Sequence, residues 1–372
     1  MKYKIAIVSN TSWNLYNFRR SLANAIKEAG YDVVMIAPYD NYSELLKNDF
    51  IYKNVDIDND GTNPIQDIKT VFSFFFVYKN VKPDVILSYT IKPNIYGTVA
   101  ASFLRIKIIN NISGLGTVFI TKNLLTKIAK ILYKLSHRYA AKVFFQNEDD
   151  YNLFLEKNLI SKEKADILPG SGIDTDLFKP VENVKKDGIF RFLLIARLLK
   201  DKGVFEYIDA ARKIKKQYKN VEFQVLGALD VSNITAISRE AVNRWVDEEV
   251  ITYLGHTDDV RKFIAQADCI VLPSYREGTP RTLLEAASMA KPIVTTNTVG
   301  CKDVVDDGKT GFLCKVKNVN DLATKLTRML NLSSQECEKM GKLGREKIIR
   351  EYNEKIVIKK YLDTIKEVLN QK

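Results

Sequence analysis

The feature that most constrains the fold is an alternation of short apolar runs with longer amphipathic segments, which occurs twice along the chain. In the first half, apolar runs of strand length stand at residues 4–8, 33–37, 85–88, 106–109 and 143–146. Helical patterns occupy residues 19–29, 64–81, 94–104, 124–140 and 149–157. Because strands separated by helices pair in parallel, this order predicts an α/β domain built on a doubly wound parallel sheet.

The alternation restarts after FKPVENVKKDG at residues 178–188, a polar segment with a proline and a glycine that is typical of a linker. Beyond it, strands are predicted at residues 190–196, 221–226, 251–254, 269–272 and 293–295, and helices at residues 203–216, 260–267 and 282–289. The sequence therefore predicts two α/β domains, residues 1–178 and 189–353, and a helix at residues 354–372 that packs back on the first. Parallel sheets bind ligands at the carboxyl ends of their strands, so we expect the domains to face each other across a ligand-binding cleft.

Composition excludes several classes of protein. The chain has 372 residues, 46% apolar and 27% charged, as expected of a globular protein with one large or two smaller domains. Its four cysteines are far apart in the second half and do not form a disulfide scaffold or a Cys-X-X-Cys site, and two histidines are too few for a histidine-rich metal site. No apolar run approaches the roughly 20 residues of a membrane span, and the first residues predict a strand rather than a signal peptide. The expected location is the cytoplasm.

Basic residues exceed acidic ones by 12, and residues 85–147 contain nine cations without an aspartate or glutamate. Four of these cations share one face of a predicted helix: Lys127, Lys130, Lys134 and Arg138. The apolar residues expected to pack inward from the other side are Leu124, Ile128, Leu132 and Leu135. The basic face is either a solvated surface or a docking surface for an anionic membrane, where each cation contributes about 1 kcal/mol. Nucleic acid is not expected as a partner, because aromatic residues do not alternate with the cations and no nucleic-acid motif is present.

The segment LPSYREGTPRTLLEAASMAKP, residues 272–292, carries the strongest chemical signal. A strand ends at its start, and Pro280 suits the first position of the following helix. The backbone amides predicted to open this helix as an anion site belong to Gly278, Thr279, Arg281 and Thr282. Glu277 and Glu285 flank these amides and can accept hydrogen bonds from hydroxyl groups. The segment therefore fits a phosphate between two polyols, as in a nucleoside diphosphate sugar; the alternative is an acidic helix cap and a surface carboxylate.

A second segment, LLIARLLKDKG at residues 193–203, places two cations after a predicted strand. Arg197 follows the strand and Lys202 precedes the next helix, so both can bind one diphosphate through charge-assisted hydrogen bonds. The same cations can stabilise a diphosphate as it leaves. The alternative is a solvated loop.

Together, ARLLKDKG and EGTPRTLLEA resemble motifs of the retaining glycosyltransferases of family 4, also called group 1, which have the GT-B fold of two Rossmann-like domains. The segments LPGSGIDTDLFKP, YLGHTDDV and VVDDGKTGFLCK, at residues 168–180, 253–260 and 304–315, also resemble this family. In the first half, NTSWNLYNFRRSL, SYTIKPNIYG and NISGLGTVF, at residues 10–22, 88–97 and 111–119, are similar to segments of bacterial polysaccharide and lipid-linked oligosaccharide transferases. The likeness is greatest to enzymes that add N-acetylgalactosamine in α linkage to a sugar on undecaprenyl diphosphate.

The resemblance implies that Arg197, Lys202 and Glu277 act at the reacting group, the cations on the donor diphosphate and the carboxylate on hydroxyl groups of the donor sugar. Glu285 would bind the hydroxyl groups of the ribose, and the loop at Gly255 and His256 would face the base. The other residues implied to bind the donor are Gly278, Thr279, Arg281 and Thr282. The acceptor would be bound in the first domain by Asn17, Arg19, Lys92, Asn94 and Gly114. Arg19 and Lys92 suit an acceptor that carries its own diphosphate, the alternative being ordinary surface charge.

Two departures from the family leave the general base unassigned. Residues 90–94 read TIKPN, with no histidine before the Pro-Asn step, and the first loop, SNTSW, lacks the Gly-Gly pair. The family implies front-face attack, in which the leaving phosphate takes the acceptor proton.

Two Asp-X-Asp sequences occur, at residues 58–60 and 174–176, and they are interpreted as a solvated loop and a structural turn. We expect no metal, because Arg197, Lys202 and the helix amides supply positive charge.

We therefore expect a retaining glycosyltransferase that moves a hexose or N-acetylhexosamine, N-acetylgalactosamine being the best candidate, from a UDP-sugar to a saccharide on undecaprenyl diphosphate. It would work without a cofactor in bacterial glycan assembly, at the cytoplasmic face of the inner membrane. Two alternatives stay open: a sugar-nucleotide epimerase of the same fold, and a non-catalytic module that binds a membrane surface.

Overall fold

A computed structural model describes residues 2–59, 63–115, 124–182, 187–229, 231 and 233–370. The chain divides into two compact units, one formed by Met1–Ser171 with Lys355–Lys372 and the other by Gly172–Glu354. Within the described ranges, no helix is long and apolar enough to cross a membrane.

The first unit is built on a seven-stranded parallel sheet. Its strands are β1 (Lys4–Val8), β2 (Asp32–Ala37), β3 (Ile51–Asn54), β4 (Val85–Tyr89), β5 (Lys107–Ile112), β6 (Lys142–Phe145) and β7 (Ala165–Ile167). They lie in the order β3-β2-β1-β4-β5-β6-β7, and every neighbouring pair is parallel. The order reverses between β1 and β4, so the carboxyl ends of these strands flank the crevice in which such sheets bind ligands.

Helices cover both faces of this sheet. They are α1 (Ser12–Glu28), α2 (Ser43–Lys47), α3 (Pro64–Val81), α4 (Thr98–Phe103), α5 (Leu124–His137) and α6 (Glu148–Glu156), and a π-helical turn, Pro93–Gly97, leads into α4. Alternate strand residues face opposite sides: Ile5 and Ile7 pack in a core with α1, whereas Ala6 and Val8 belong to a core with α3, α4, α5 and α6. The two cores make this unit a three-layer α/β structure.

The second unit repeats the architecture with six parallel strands. They are β8 (Phe190–Ile195), β9 (Val221–Leu226), β10 (Thr252–Tyr253), β11 (Cys269–Leu272), β12 (Ile293–Thr296) and β13 (Gly311–Cys314), in the order β10-β9-β8-β11-β12-β13. Its helices are α7 (Val204–Lys215), α8 (Arg239–Asp247), α9 (Arg261–Gln266), α10 (Arg281–Ser288), α11 (Cys301–Val304), α12 (Val319–Leu330) and α13 (Ser334–Glu351). The strand order reverses between β8 and β11. The predicted fold class, two doubly wound parallel sheets, is confirmed.

The last helix, α14 (Glu354–Asn370), packs on the first unit. Its buried side chains, Val357, Tyr361, Ile365 and Val368, belong to the same core as α1 and β1. Lys107 on β5 donates a hydrogen bond of 2.6 Å to the carbonyl of Val368.

The boundary between the units lies at residues 171 and 172 instead of the predicted 178. The amide of Ile173 donates a 2.9 Å hydrogen bond to the carbonyl of Tyr352, and the ring of Phe178 packs in a core of the second unit. Residues 172–178 therefore belong to the second unit. Part of the predicted linker, residues 183–186, lies outside the described residues.

Several elements differ from the prediction. Helix α1 begins at Ser12 and not at residue 19, because the Thr11 hydroxyl caps it by accepting a 3.2 Å hydrogen bond from the amide of Asn14. Strands β3, β7 and β13 were not predicted. Strand β3 lies at the sheet edge and is largely exposed, so it lacks the buried apolar run that identifies the central strands.

The buried face of α5 is rotated from the predicted one, although Lys127, Lys134 and Arg138 are exposed as expected. Its core-facing residues are Tyr133 and His137, whose rings contact Phe154 of α6 at centroid distances of 5.4 and 5.7 Å. Ile128 and Leu135, which were predicted to be buried, are 44% and 55% exposed. The aromatic cluster provides the contacts that hold α5, so the aliphatic side chains are left on the outer face. Leu132 is half-buried, and the side chain of Leu124 lies outside the described residues.

Candidate active site

The two segments of the second unit that carry the chemical signal lie against each other. Gly203 adopts a φ of +73°, and its Cα is so close to Pro273 that a Cβ would lie 2.0 Å from the carbonyl oxygen of Pro273. The carbonyl of Asp201 accepts hydrogen bonds of 3.1 Å from the Ser274 hydroxyl and 2.9 Å from the Tyr275 amide. The loop after β8 is thereby fixed on the loop after β11, at the reversal point of the sheet.

An ion pair joins the two loops at their centre. The Nζ atom of Lys202 donates to Oε1 of Glu277, and the Ser274 hydroxyl donates a 2.7 Å hydrogen bond to the same oxygen. Both charged side chains are largely shielded from solvent, being 20% and 14% exposed. Arg197, in contrast, is exposed on the same loop. The arrangement holds one cation and one carboxylate in fixed positions and presents a second cation beside them.

The loop that carries Glu277 is fixed by contacts with Val299 and Gly300, the two residues that precede α11. The amide of Glu277 donates a 3.1 Å hydrogen bond to the carbonyl of Val299. Gly300 has a φ of +79°, and a Cβ there would lie 2.2 Å from the carbonyl oxygen of Gly278. Only glycine fits this position, so Gly300 fixes the backbone on which Glu277 and Gly278 stand.

Helix α10 begins beside this loop. Pro280 was predicted to take the first helical position, but the helix starts one residue later, at Arg281. Pro280 is the N-cap, with an extended backbone (φ −72°, ψ 112°), and Arg281 is the first helical residue. Arg281 and Thr282 therefore lie in the first turn, and Gly278 and Thr279 immediately precede it. The positive end of the helix dipole favours an anion at this point.

Glu285 lies one turn into α10 and is buried. Burial raises its pKa, and the Arg281 side chain, whose Nε donates a 2.9 Å hydrogen bond to Oε1, lowers the pKa only in part. Asp259 adds a smaller upward contribution to the pKa. A carboxylate offers about four lone-pair positions, so Glu285 can bind Arg281 and still accept hydrogen bonds from a diol.

The loop predicted to bind the nucleotide base, at Gly255 and His256, lies near the ends of β8 and β9. Gly255, with a φ of +77°, accepts a 2.8 Å hydrogen bond from the amide of Gly227, which follows β9. A Cβ at Gly227 would lie 1.7 Å from the carbonyl oxygen of Ala196, the residue before Arg197. His256 is exposed next to Gly255. The predicted donor-site residues are thus grouped at one edge of the second sheet.

In the first unit, three of the predicted acceptor residues line one pocket of about 280 Å³ at the carboxyl ends of β1, β4 and β5. They are Lys92, Asn94 and Gly114, together with Asn10, Asn59, Thr90, Ile91, Ile112, Ser113 and Tyr133. Thr90 has a φ of +70°, which is strained for a β-branched residue and is a feature of functional sites. Lys92 forms a 2.8 Å ion pair with Asp67 of α3. Asn94 is buried and donates a 2.7 Å hydrogen bond to the carbonyl of Asn111.

Arg19 and Asn17 do not line this pocket. Arg19 was predicted to follow the first strand at the ligand-binding edge, but it lies in the middle of α1 and is 3% exposed. Its guanidinium carbon is 3.9 Å from the ring centroid of Tyr89, a cation–π contact. Asn17 is half-buried and donates a 3.0 Å hydrogen bond to the carbonyl of Trp13. The Arg19 side chain therefore holds α1 against β4, whereas the Asn17 hydrogen bond lies within α1.

The Asp-X-Asp sequences do not form a metal cluster in the described structure. Asp174 accepts hydrogen bonds of 2.9 Å from the amides of both Asp176 and Leu177, so the predicted structural turn is confirmed. Asp60 lies outside the described residues. Elsewhere in the described ranges, no group of three or more His, Cys, Asp or Glu side chains is placed to hold a metal ion.

Two family models match the chain, one for each sheet. Residues 176–347 match the family described as Glycosyl transferases group 1, and residues 4–147 match Glycosyl transferase 4-like. The chain belongs to the glycosyltransferases. The fold and family predicted from the sequence are confirmed, and membership favours glycosyl transfer over the epimerase and over the non-catalytic module.

Curated relatives and solved structures extend the comparison. This glycosyltransferase is 29% identical to the N,N'-diacetylbacillosaminyl-diphospho-undecaprenol α-1,3-N-acetylgalactosaminyltransferase of Campylobacter jejuni, over 98% of this chain and 99% of that one. It is 24% identical to the UDP-Gal:α-D-GlcNAc-diphosphoundecaprenol α-1,3-galactosyltransferase of Escherichia coli, over 82% and 79%. Anabaena HepE, solved in complex with UDP and glucose, shares the GT-B fold with a TM-score of 0.77 at 17% identity, over 98% of this chain and 99% of that one.

Sequence reasoning missed three residues that shape the site of this glycosyltransferase. They are Ser274, Gly227 and Gly300. Ser274 lies inside the strongest motif, and its position two residues after a strand was an available signal. Gly227 directly follows β9 and Gly300 directly precedes α11, but the backbone contacts that require these glycines come from residues distant in sequence.

Proposed function

We propose that the chain transfers an N-acetylhexosamine or hexose, with N-acetylgalactosamine as the best candidate, from a UDP-sugar to a saccharide on undecaprenyl diphosphate. The observation that carries the proposal is the grouping of Lys202, Glu277, Arg281 and Glu285 at one sheet edge of the second unit. The relatives support the choice of substrates, because both are named for acceptors on diphospho-undecaprenol and for an α-1,3 linkage.

The donor would bind to the two carboxylates and the cations between them. Glu285 accepts hydrogen bonds from the ribose, the first turn of α10 faces the diphosphate, and Gly255 and His256 lie toward the base. As the diphosphate approaches, Lys202 and Arg197 bind its oxygens. Lys202 then shares its charge between Glu277 and the phosphate, and Glu277 accepts hydrogen bonds from hydroxyl groups of the sugar.

The configuration at the anomeric carbon is retained if the acceptor hydroxyl attacks the donor sugar from the same face from which the diphosphate leaves. The bond between the anomeric carbon and the acceptor oxygen forms as the bond to the β-phosphate oxygen breaks. That phosphate oxygen takes the proton from the acceptor hydroxyl, and UDP is released. Arg197, Lys202 and the α10 amides stabilise the growing negative charge, so we propose that no metal is required.

The acceptor would bind in the pocket of the first unit. Lys92 is held at the pocket wall by Asp67, ready to contact a phosphate group, and Asn94 and Gly114 form the neighbouring wall. An acceptor on a lipid carrier places the reaction at a membrane surface. We propose the cytoplasmic face of the bacterial inner membrane, in glycan assembly, with Lys127, Lys130, Lys134 and Arg138 toward anionic headgroups.

The test supplies four donors to the purified chain: UDP-N-acetylgalactosamine, UDP-galactose, UDP-N-acetylglucosamine and UDP-glucose. Acceptors are undecaprenyl diphosphates that carry N-acetylglucosamine or N,N'-diacetylbacillosamine. Mass spectrometry is expected to show one added sugar from UDP-N-acetylgalactosamine, and proton NMR is expected to show an α linkage. A chelator is expected to leave the rate unchanged.

The matched control is Arg197→Ala, which is expected to remove transfer without changing the melting temperature. Consumption of the donor without acceptor, yielding an epimerised sugar nucleotide, would contradict the proposal. A β-linked product would contradict the retaining mechanism alone.

A further inference from the structure

Helix α3 is apolar on the face that looks away from the core as well as on the face that packs. Its outward stripe consists of Ile65, Ile68, Phe72 and Phe76, which are between 57% and 66% exposed. Their spacing of three, four and four residues places them on one side of the helix. The opposite side carries the buried Thr70, Phe74, Tyr78 and Val81, so the core does not account for the outward aromatic residues.

The stripe continues over the neighbouring helices of the same layer. Helix α4 contacts both α3 and α5, and its last residue, Phe103, is 72% exposed. Among the described side chains of α5, the exposed apolar residues are Ile128, Ile131 and Leu135, and the exposed Tyr139 lies two residues beyond the end of the helix. We call these residues, with the α3 stripe and Phe103, the apolar helix face. Monomeric soluble proteins rarely expose large apolar patches, which usually mark protein or membrane contacts.

Charge on the same helices indicates which of the two contacts is made. The exposed cations beside the apolar helix face are Lys69, Lys79, Arg105, Lys127, Lys134 and Arg138. Residues 85–147 contain no aspartate or glutamate, and the one acidic residue of α3, Asp67, is bound to Lys92. An apolar centre bordered by cations is complementary to a bilayer whose anionic headgroups surround an apolar interior.

We infer that the apolar helix face inserts into the headgroup and acyl boundary of an anionic membrane, with Phe72 and Phe76 as its main anchors. The inference deepens the proposed function and rests on it for the lipid-linked acceptor. Tyr133 of α5 and Lys92, which precedes the π-helical turn, line the acceptor pocket, so the pocket adjoins the layer that enters the membrane. A diphosphate on a lipid at the bilayer surface would thus reach Lys92 while its lipid stays in the bilayer.

Insertion differs from electrostatic adsorption in its response to salt. Salt screens the attraction between exposed cations and lipid headgroups, but it does not weaken the burial of apolar side chains. Binding of the purified chain to vesicles of equal parts phosphatidylcholine and phosphatidylglycerol should therefore decrease at high salt and remain measurable. Phe72→Gln/Phe76→Gln is expected to lower the partition coefficient about tenfold or more at low salt, and to remove binding at high salt.

Two further variants separate the contributions. Leu343→Gln/Ile349→Gln replaces two exposed apolar residues on α13 of the second unit and is expected to bind vesicles as the unchanged chain does. Lys127→Glu/Lys134→Glu is expected to weaken binding at low salt toward the level that the unchanged chain shows at high salt, because only the salt-sensitive part is lost. Equal melting temperatures would show that the variants fold.

The readouts keep this inference apart from the proposed function. Vesicle binding is measured without donor or acceptor, and transfer is measured with an acceptor on a short, water-soluble lipid, for which the Phe72→Gln/Phe76→Gln rate is expected to be unchanged. Transfer without vesicle binding would overturn the membrane inference alone, and vesicle binding without transfer would overturn the proposed function alone. The inference would also be overturned if the Phe72→Gln/Phe76→Gln variant bound vesicles as strongly as the unchanged chain. A third contrary result would be that the unchanged chain does not bind vesicles but self-associates, and that this variant no longer self-associates.

Discussion

Glu285 combines the binding role proposed for it with a cost to stability. Its carboxylate is buried on α10 with Arg281 as a partner, yet its pKa stays above the usual value, so the folded chain favours the neutral form more than the unfolded chain does. The folded state then binds more protons, and the stability contributed by this group falls as the pH rises above the unfolded pKa of about 4.5. At neutral pH the ionised carboxylate therefore does not stabilise the fold, which agrees with the ligand-binding role proposed for it.

Glu285→Gln should therefore separate the two effects. We expect the free energy of unfolding at pH 7 to stay equal or rise, because the amide is neutral and still accepts from Arg281. UDP affinity should fall about tenfold or more, because hydrogen bonds to a charged acceptor are lost. Urea unfolding and isothermal calorimetry measure the two quantities, with Glu338→Gln on the exposed surface of α13 as the control. A variant that is strongly destabilised but binds UDP normally would show that the carboxylate serves the fold alone.

Lys202 offers a second test at the scale of one residue. Lys202→Ala removes the cation that pairs with Glu277 and leaves a shielded carboxylate beside the position proposed for the diphosphate. We expect kcat to fall about 100-fold to 1,000-fold, the size of effect seen when one group that stabilises developing charge is removed. Lys200→Ala changes an exposed cation on the same loop and should leave kcat within about twofold. If the two variants had equal rates, Lys202 would have no role at the reacting group.

At the scale of one element, α5 shows why side-chain contacts decide which helix face is buried. The face with more aliphatic residues was predicted to pack inward, but Tyr133 and His137 bind the aromatic cluster around Phe154. His137 is fully buried, and burial, with a smaller contribution from Lys164, lowers its pKa to about 3. The histidine is therefore neutral in the folded chain at all physiological pH values.

This burial predicts acid sensitivity. The folded pKa lies below the unfolded value of about 6.5, so the unfolded chain binds more protons between these values and stability falls as the pH is lowered through them. The expected loss is roughly 1 to 2 kcal/mol per pH unit below about pH 6. His137→Phe keeps the ring packing and should flatten this part of the stability curve, as measured by urea unfolding at pH 7 and pH 5. An unchanged pH dependence in the variant would show that another group causes the acid sensitivity.

The predictability of the elements follows their burial. Strands β1, β2, β4, β8 and β11 were predicted within about two residues, because each is a buried run of β-branched or aliphatic residues between helical patterns. Edge strand β3 has too few buried positions to stand out. The start of α1 was misplaced because the cap, Thr11, follows a loop with no apolar period, and only the observed hydrogen bond to Asn14 identifies it.

At the scale of the whole molecule, the sequence predicts which residues belong to the candidate site, but not which residues they contact. Arg197, Lys202, Glu277 and Glu285 were selected because each stands after a strand or at the start of a helix, and the structure groups them at one sheet edge. The Lys202–Glu277 contact joins residues 75 positions apart, and Arg19 of α1 is buried against Tyr89 of β4. Such contacts arise from tertiary packing, which no local pattern contains. The cleft between the two units stays a prediction.

The return of α14 to the first unit makes a prediction at the scale of the whole molecule. Ile365 is fully buried in the core shared with α1, whereas Ile356, on the same helix, is 39% exposed. Ile365→Ala should lower the free energy of unfolding of the first unit by about 2 to 5 kcal/mol, and Ile356→Ala by less than about 1 kcal/mol. Hydrogen exchange of amides in β1 and β4 measures the effect in the first unit. Equal protection in the two variants would mean that α14 does not complete this core.

The boundary between the units has a consequence for synthesis on the ribosome. The two ends of the second unit are bonded side by side, Ile173 with Tyr352 and Asn353, so this unit is an insertion in a first unit whose sequence is discontinuous. When residue 354 has emerged, the second unit has every residue that it needs, but the first unit still lacks Val357, Tyr361, Ile365 and Val368 of its own core. The part of the protein that is translated first is therefore the last to have all of its core available, and its earliest strands must wait for the final helix to emerge.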